Sequence, residues 1–189
     1  MNSNNEQFQK IKNNPIKKMV LASLFMALGI ILPFFTAGPE LGSIFLPMHI
    51  PILLCGLICG PKYGLTVGLI TPIFRSVLFG LPPMFPIALT MTFELAAYGF
   101  FIGLFYLMFP KKIGYVYASL AIAMLLGRFV YGAAAAIFYP MAGFNFSFEI
   151  FITAAFVTGL PGILIQITFI PIFFHYLMRA NILPDFEQR

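Results

Sequence analysis

Residues 84–112 read MFPIALTMTFELAAYGFFIGLFYLMFPKK. The apolar run 84–109 contains one charged side chain, Glu94, and two lysines follow it after a proline. A helix needs about 20 apolar residues to cross the hydrocarbon core of a bilayer, so this run is long enough to do so. The stretch therefore predicts a transmembrane helix that carries an acid in its interior and ends at a basic loop.

The composition of the whole chain places it in the same class. Of 189 residues, 60% are hydrophobic and 9% are charged, whereas soluble domains carry about 25% charged residues. A net charge of +5 could suggest nucleic acid as a partner. Nucleic-acid binders, however, cluster their basic residues on a solvated face. Here the basic residues separate apolar segments, which predicts an all-α polytopic membrane protein and no nucleic-acid partner.

The apolar runs number six, so we predict six transmembrane helices in one bundle. Runs two and three are short and contain or border proline and glycine, which predicts that they are tilted, broken or shielded by protein. We expect a cytoplasmic segment at 1–18, a transmembrane domain at 19–178 and a cytoplasmic tail at 179–189. The predicted spans are 19–35, 44–59, 63–79, 84–109, 113–139 and 148–177.

Along the chain, connectors that contain basic residues alternate with connectors that contain none. Loops 36–43, 80–83 and 140–147 contain none. Because basic connectors mark the cytoplasmic side, the pattern predicts a multi-pass protein of the cell membrane with both termini in the cytoplasm. The bases outside the spans are Lys10, Lys12, Lys17, Lys18, Lys62, Lys111, Lys112, Arg179 and Arg189.

Polar side chains within the predicted spans collect toward the outer side. At about 1.5 Å per helical residue, Glu94 and Arg128 both lie about 15 Å below the outer surface, and Arg75 about 7 Å below it. Ionisable groups inside a membrane cost at least about 2.5–3.5 kcal/mol and usually face a cavity or a partner. The predicted substrate-binding residues are Glu94, Arg128, Tyr98, Tyr131, Asn145, Arg75, His49 and Gln166.

Other roles for these residues stay open. Glu94 and Arg128 can form a structural pair that holds two helices in register, and Arg75 can reach the outer head groups. His49 can simply begin a helix. Tyr98 and Tyr131 can belong to an aromatic belt, although each lies about one turn from a charged residue on its own helix. An acid, a guanidinium and two phenols predict a site for a small, polar, ring-containing ligand.

Motifs for energy coupling and catalysis do not occur in the sequence. It contains no Gly-x-x-x-x-Gly-Lys-Ser/Thr, no His-Glu-x-x-His and no Gly-x-Ser-x-Gly. Glu94 is the one acid clearly inside a span, whereas proton-coupled porters usually show more buried acids or a repeated half. We therefore expect a protein that binds a solute but neither catalyses a reaction nor powers transport, and no cofactor or metal.

One stretch points to a family. Residues 46–64, LPMHIPILLCGLICGPKYG, resemble the second span and following turn of the S-components of energy-coupling factor (ECF) vitamin transporters. The resemblance covers nearly the whole chain. It implies a substrate-capturing subunit of an ABC-type importer, whose partners are a transmembrane coupling protein and two cytoplasmic ATPases.

The resemblance also implies roles for two further groups of residues. S-components carry an Ala-x-x-x-Ala pattern in span one that docks on the coupling protein, and the nearest match here is Ser23-Leu-Phe-Met-Ala27. Packing within the monomer is the alternative role for these two residues. Loop one, here residues 36–47, is implied to close over the ligand. The ligand is implied to be captured from outside and released inward when the subunit topples in the bilayer. The implied lid residues are Pro39, Glu40, Gly42 and Phe45.

Three functional classes follow. The first is the binding subunit of an importer for a vitamin or vitamin precursor, and the second a standalone carrier that uses Glu94 as a proton site. The third is a small membrane enzyme or accessory subunit. Arg75 and Arg128 suit a carboxylate, and Glu94 suits an amine or hydroxyl. The charges therefore do not choose among pantothenate, folate, pyridoxine, riboflavin and precursors of thiamine or cobalamin.

Overall fold

The computed structural model describes residues 15–36, 42, 44–110 and 112–179, and the side chains of these residues except 150, 154 and 155. Within these residues the chain forms helices and connecting turns, with no strand. The α-helices are α1 (Pro15–Ile31), α2 (His49–Cys59), α3 (Pro61–Phe79), α4 (Leu89–Met108), α5 (Ile113–Met141), α6 (Phe148–Ile152) and α7 (Leu160–Arg179).

The predicted all-α membrane bundle is confirmed, and each of the six apolar runs contains helix. Among the described residues, four helical segments are long and apolar enough to cross a membrane by length and composition alone. They are Pro15–Phe35, Met84–Met108, Ile113–Met141 and Leu160–Arg179.

The second run forms a shorter helix than predicted. Helix α2 has 11 residues and covers about 16 Å of axial rise, which is half the thickness of a bilayer core. Nine of these residues are buried, since α2 packs against α1, α3 and α4. The protein rather than lipid surrounds it, which explains how a helix too short to cross alone lies within the bundle.

Two predicted spans are irregular near one end. A π-helical turn at Met84–Ala88, with extended backbone at Phe85, precedes α4. The sixth run is divided into α6, a π-helical segment at Thr153–Thr158 and α7. Irregular backbone at membrane depth is tolerated only where protein or a water-filled cavity satisfies its polar groups.

Glycines bring α2, α3 and α4 into backbone contact. Gly60, with φ of +99°, ends α2, and Pro61 begins α3 at the position where a missing N–H costs no helical hydrogen bond. Gly64 faces Gly99 so closely that a Cβ on either would overlap the other's backbone carbonyl. Gly68 meets the backbone of Leu95 in the same way, so α3 and α4 run antiparallel. Small residues allow this close packing where no hydrophobic force acts between helices.

We expect Gly99→Ala to lower the thermal unfolding midpoint of the purified protein. The new methyl group would overlap the carbonyl carbon and Cα of Gly64, and such overpacking costs about 1–3 kcal/mol. Gly114→Ala is the matched control, because nothing lies within 4 Å of the Cβ it would add. Equal midpoints for the two variants would show that the α3–α4 contact tolerates separation.

Candidate functional site

The centre of the candidate site is an ion pair between adjacent helices. Nη1 of Arg128 on α5 donates to Oε1 of Glu94 on α4 at 2.6 Å. Helices α4 and α5 pack along their lengths, and both side chains are buried. The two residues predicted to lie at one depth therefore meet. A buried pair of this kind is retained only where its geometry is good and its remaining donors and acceptors are satisfied.

Two further side chains adjoin the carboxylate. Nε2 of His49, the first residue of α2, lies 3.7 Å from Oε1 of Glu94. The ring of Tyr98, one turn beyond Glu94, lies 5.2 Å from the His49 ring between centroids. Both side chains are almost fully buried. Three helices thus bring an acid, a guanidinium, an imidazole and a phenol together.

Gln166 lies in the buried stripe of α7. Gly162, Gln166, Ile170 and Phe174 recur at every fourth position and are all buried, so they form the inward face of the helix. A Cβ on Gly162 would lie 2.7 Å from the carbonyl oxygen of Ile44, in the segment that leads to His49. Gln166 is one turn deeper on that same face, and α7 also packs against α2 and α5.

Several polar atoms of the predicted set lack a hydrogen-bond partner among the described residues. They come from α2, α5 and α7, and α7 packs against both other helices. In an apolar interior each such group costs about 1–3 kcal/mol, because it has lost water and gained nothing. The atoms are Nδ1 and Nε2 of His49, Nε of Arg128, and Nε2 and Oε1 of Gln166.

Arg75 has different partners from the rest of the predicted set. Its Nη1 donates to the carbonyl oxygen of Ile30 at 2.9 Å, and its guanidinium lies 4.8 Å from the centroid of the Phe34 ring. It lies seven residues beyond Gly68 and therefore about 10 Å along α3 from the level of Leu95. Arg75 thus binds the end of α1, where a positive charge suits the helix dipole.

Tyr131 contacts an aromatic ring on another helix, and Asn145 lies at the surface. The Tyr131 ring stacks on Phe151 at a centroid distance of 6.2 Å, one turn along α5 from Arg128. Asn145 is exposed in the connection between α5 and α6. The structure therefore groups Glu94, Arg128, His49 and Tyr98, and places Gln166 on the buried face of α7. It gives Arg75 other partners and leaves Asn145 exposed.

Of the predicted lid, Gly42 and Phe45 are described, whereas Pro39 and Glu40 lie outside the described residues. The amide of Leu46 donates to the carbonyl of Gly42, and that of His49 donates to the carbonyl of Leu46. Leu46 has φ of +50°, which is uncommon for a residue with a branched side chain. This turn brings the end of loop one onto α7 at Gly162 and delivers His49 to the ion pair.

Comparison with known proteins then identifies the family. The family profile described as "ECF transporter, substrate-specific component" matches residues 17–176. The chain belongs to this family. Among curated proteins the comparison found no match. The matched range begins two residues inside α1 and ends three residues before the end of α7, so it covers all but the outermost residues of the described bundle.

Family membership fixes the general role. S-components are membrane-embedded transport subunits rather than enzymes, and they act with the ECF module of coupling protein and ATPases. Among the described residues of this S-component, no group of three or more His, Cys, Asp or Glu side chains is placed to hold a metal ion.

The predicted docking residues lie on the surface of the S-component. Ser23 and Ala27 are both exposed on α1, and the Ser23 hydroxyl donates to the carbonyl of Met19 within its own helix at 2.9 Å. Ala22 and Gly29 are buried and face the bundle instead. Ser23 and Ala27 therefore form a strip of small side chains on the exposed face of α1. Neither residue belongs to the core of the monomer.

Two residues that shape the site were absent from the sequence-based set. Gly127 adjoins the Tyr98 ring so closely that a Cβ there would overlap it, which lets Tyr98 lie beside Arg128. Leu46 makes the left-handed turn before His49. An isolated glycine in an apolar helix was the only signal for Gly127, and Leu46 carried none, because its backbone conformation depends on the loop and α7.

Proposed function

We propose that this S-component captures a water-soluble vitamin or vitamin precursor from outside the cell. It then topples on the coupling protein and releases the solute inward, and ATP hydrolysis by two cytoplasmic partner ATPases resets it. The observation that carries the proposal is the buried cluster of Glu94, Arg128 and His49, in which Nδ1 of His49 and Nε of Arg128 have no hydrogen-bond partner among the described residues. A bound solute would supply those partners.

The alternation of basic residues supports the orientation. Lys17, Lys18, Lys62, Lys112 and Arg179 lie at helix ends or connectors on the side predicted to face the cytoplasm. Counting along α4 and α5 from these ends puts the Glu94–Arg128 pair nearer the opposite surface. A solute arriving from outside would thus reach the pair after passing loop one.

Loop one is the proposed lid. Its end packs against Gly162 of α7 and continues directly into His49, so movement of the loop would change the position of an imidazole beside Glu94. Phe45 is the proposed cap, and Gly42 the flexible position preceding it. Tyr98 and Tyr131 are proposed to contribute aromatic surface to the bound ring, since aromatic groups line most small-molecule sites.

We expect Glu94→Gln to weaken vitamin binding at least ten-fold while the protein still purifies as a folded monomer. The amide keeps the shape of the side chain but removes the charge that Arg128 requires, and each tenfold loss of affinity corresponds to about 1.4 kcal/mol. Isothermal titration calorimetry measures the change, with the compound that binds the wild-type protein most tightly among a panel of water-soluble vitamins.

Thr92→Val is the control for this experiment. Thr92 is also buried on α4, but its hydroxyl donates to the carbonyl of Ala88 in its own helix. Two residues apart on a helix, Thr92 and Glu94 point in different directions. We expect this variant to bind like wild type. If Glu94→Gln binds with undiminished affinity, the ion pair does not belong to the binding site.

Reconstitution in liposomes tests transport itself. We expect uptake only when the coupling protein, both ATPases and ATP are present. Net uptake by the S-component alone, driven by a pH gradient, would instead establish a standalone carrier that uses Glu94 as its proton site. Chemical conversion of the bound molecule would indicate an enzyme.

A further inference from the structure

The charged groups of the candidate site, and its polar atoms without hydrogen bonds, indicate which kind of solute fits it. We propose that the captured molecule carries no net charge at neutral pH and presents hydrogen-bond donors and acceptors side by side, as a lactam, imide or primary amide of a heterocycle does. This inference rests on the proposed function and narrows it to a class of substrate.

The first argument is the balance of charge. Glu94 and Arg128 are joined at 2.6 Å, so their charges compensate each other within the site. The guanidinium of Arg75 is engaged by the Ile30 carbonyl and the Phe34 ring. The Glu94–Arg128 pair therefore offers no surplus charge. A charged solute would have to compete with one member of the pair and leave the other without its counterion.

The second argument is the set of atoms without protein partners. Nε of Arg128 is a donor, and Nδ1 of His49 also has no hydrogen bond to a described residue. The carboxamide of Gln166 adds two donor hydrogens and an acceptor oxygen. The described residues of the site therefore leave both kinds of group unsatisfied, on α5 and α7, which pack against each other.

A charged group satisfies only one kind. A carboxylate accepts hydrogen bonds but donates none, so it would leave Oε1 of Gln166 unpaired and would place a second negative charge near Glu94. An ammonium or thiazolium group would bring a second positive charge near Arg128. A neutral amide edge donates and accepts at adjacent atoms, and a carboxamide such as Gln166 can pair with it through two parallel hydrogen bonds, as carboxamides pair with adenine.

Burial strengthens this selection. Gln166 and His49 are each about 1% exposed. In such surroundings a polar atom that the solute leaves unpaired costs far more than it would at a protein surface. Sites built on paired hydrogen bonds reject analogues that lack the matching group much more strongly than apolar pockets reject an extra methylene.

Binding of a panel of water-soluble vitamins and matched analogues to the purified S-component tests the proposal. Nicotinamide and nicotinate differ only in an amide against a carboxylate. Riboflavin supplies a larger neutral imide, pantothenate an anion and thiamine a cation. We expect a neutral member to bind at least ten-fold more tightly than every charged one. A charged compound that binds as tightly as the best neutral one would overturn the inference and leave the importer intact. Failure of every compound to bind would overturn both.

The variant Gln166→Met separates recognition from a structural role. We expect it to weaken binding of the preferred neutral compound at least ten-fold, while the unfolding midpoint of the ligand-free protein stays the same or rises. The reason is that methionine removes two buried polar atoms that have no partner among the described residues.

Thr168→Val is the control for this variant, because its exposed hydroxyl donates within α7 to the Leu164 carbonyl, and we expect it to bind normally. A lower midpoint with unchanged affinity in Gln166→Met would assign the amide to folding and overturn its role in recognition.

Discussion

Replacing Ala27 by tryptophan is expected to abolish ECF-dependent uptake while leaving substrate binding by the isolated S-component unchanged. Ser23 and Ala27 are exposed and one turn apart on α1, and neither contributes to the buried core. Small residues at this spacing let a partner helix approach closely, and an indole on the strip would hold it away. Ser23→Trp should have the same effect.

Uptake into liposomes that contain the complete transporter measures the first effect, and calorimetry on the S-component alone measures the second. Ala121→Trp is the matched control, since Ala121 is an exposed alanine on α5 and its replacement should preserve uptake. Normal uptake by Ala27→Trp would place the docking surface elsewhere on the S-component. Loss of binding would show that α1 contributes to the site.

Arg128→Ala is expected to lower both the stability and the affinity of the protein. Removing one partner leaves the Glu94 carboxylate buried without its counterion, and breaking a buried pair in this way costs about 3–5 kcal/mol. We expect substrate binding to fall at least 100-fold, because the variant also loses the Nε donor. Thermal unfolding and calorimetry of the purified variant measure the two effects separately.

A double variant separates the contribution of the pair to stability from its contribution to substrate binding. Glu94→Leu combined with Arg128→Met replaces both charges with apolar side chains, and such replacements are often neutral or stabilising. We expect this protein to regain the unfolding midpoint of wild type but not its affinity. Recovery of both would show that the pair does not bind the substrate. Failure to regain stability would show that the helices need the pair to hold their register.

The common level of Glu94 and Arg128, and the position of Tyr98 beside Glu94 on one helix, were predictable from the sequence. The contact of His49 with Glu94 was not. Counting residues from the span ends put Glu94 and Arg128 at one level, and the structure joins them. The same counting put His49 near the outer end of a longer second span. In the structure α2 begins only at His49, because loop one turns at Leu46 and packs against Gly162. His49 therefore lies against Glu94.

The partner of Arg75 was likewise not predictable from the sequence. Its position on the helix, seven residues from Gly68, could be read from the sequence, which left open whether it reaches head groups or a ligand. Its hydrogen-bond acceptor is the carbonyl of Ile30, 45 positions earlier in the chain. The contact exists because α1 and α3 pack together, and a backbone carbonyl at a helix end has no signature in the sequence.

The sequence alone determined that this protein lies in a membrane, the order of its helices and the family to which it belongs. Hydropathy, connector charge and motif identity are properties of consecutive residues, so they can be read without knowing any contact. Tertiary structure decided which polar groups meet, which ones lack protein partners and which small residues face outward. Each residue rotates a side chain by about 100° around a helix axis, and only packing against the neighbouring helices sets that rotation.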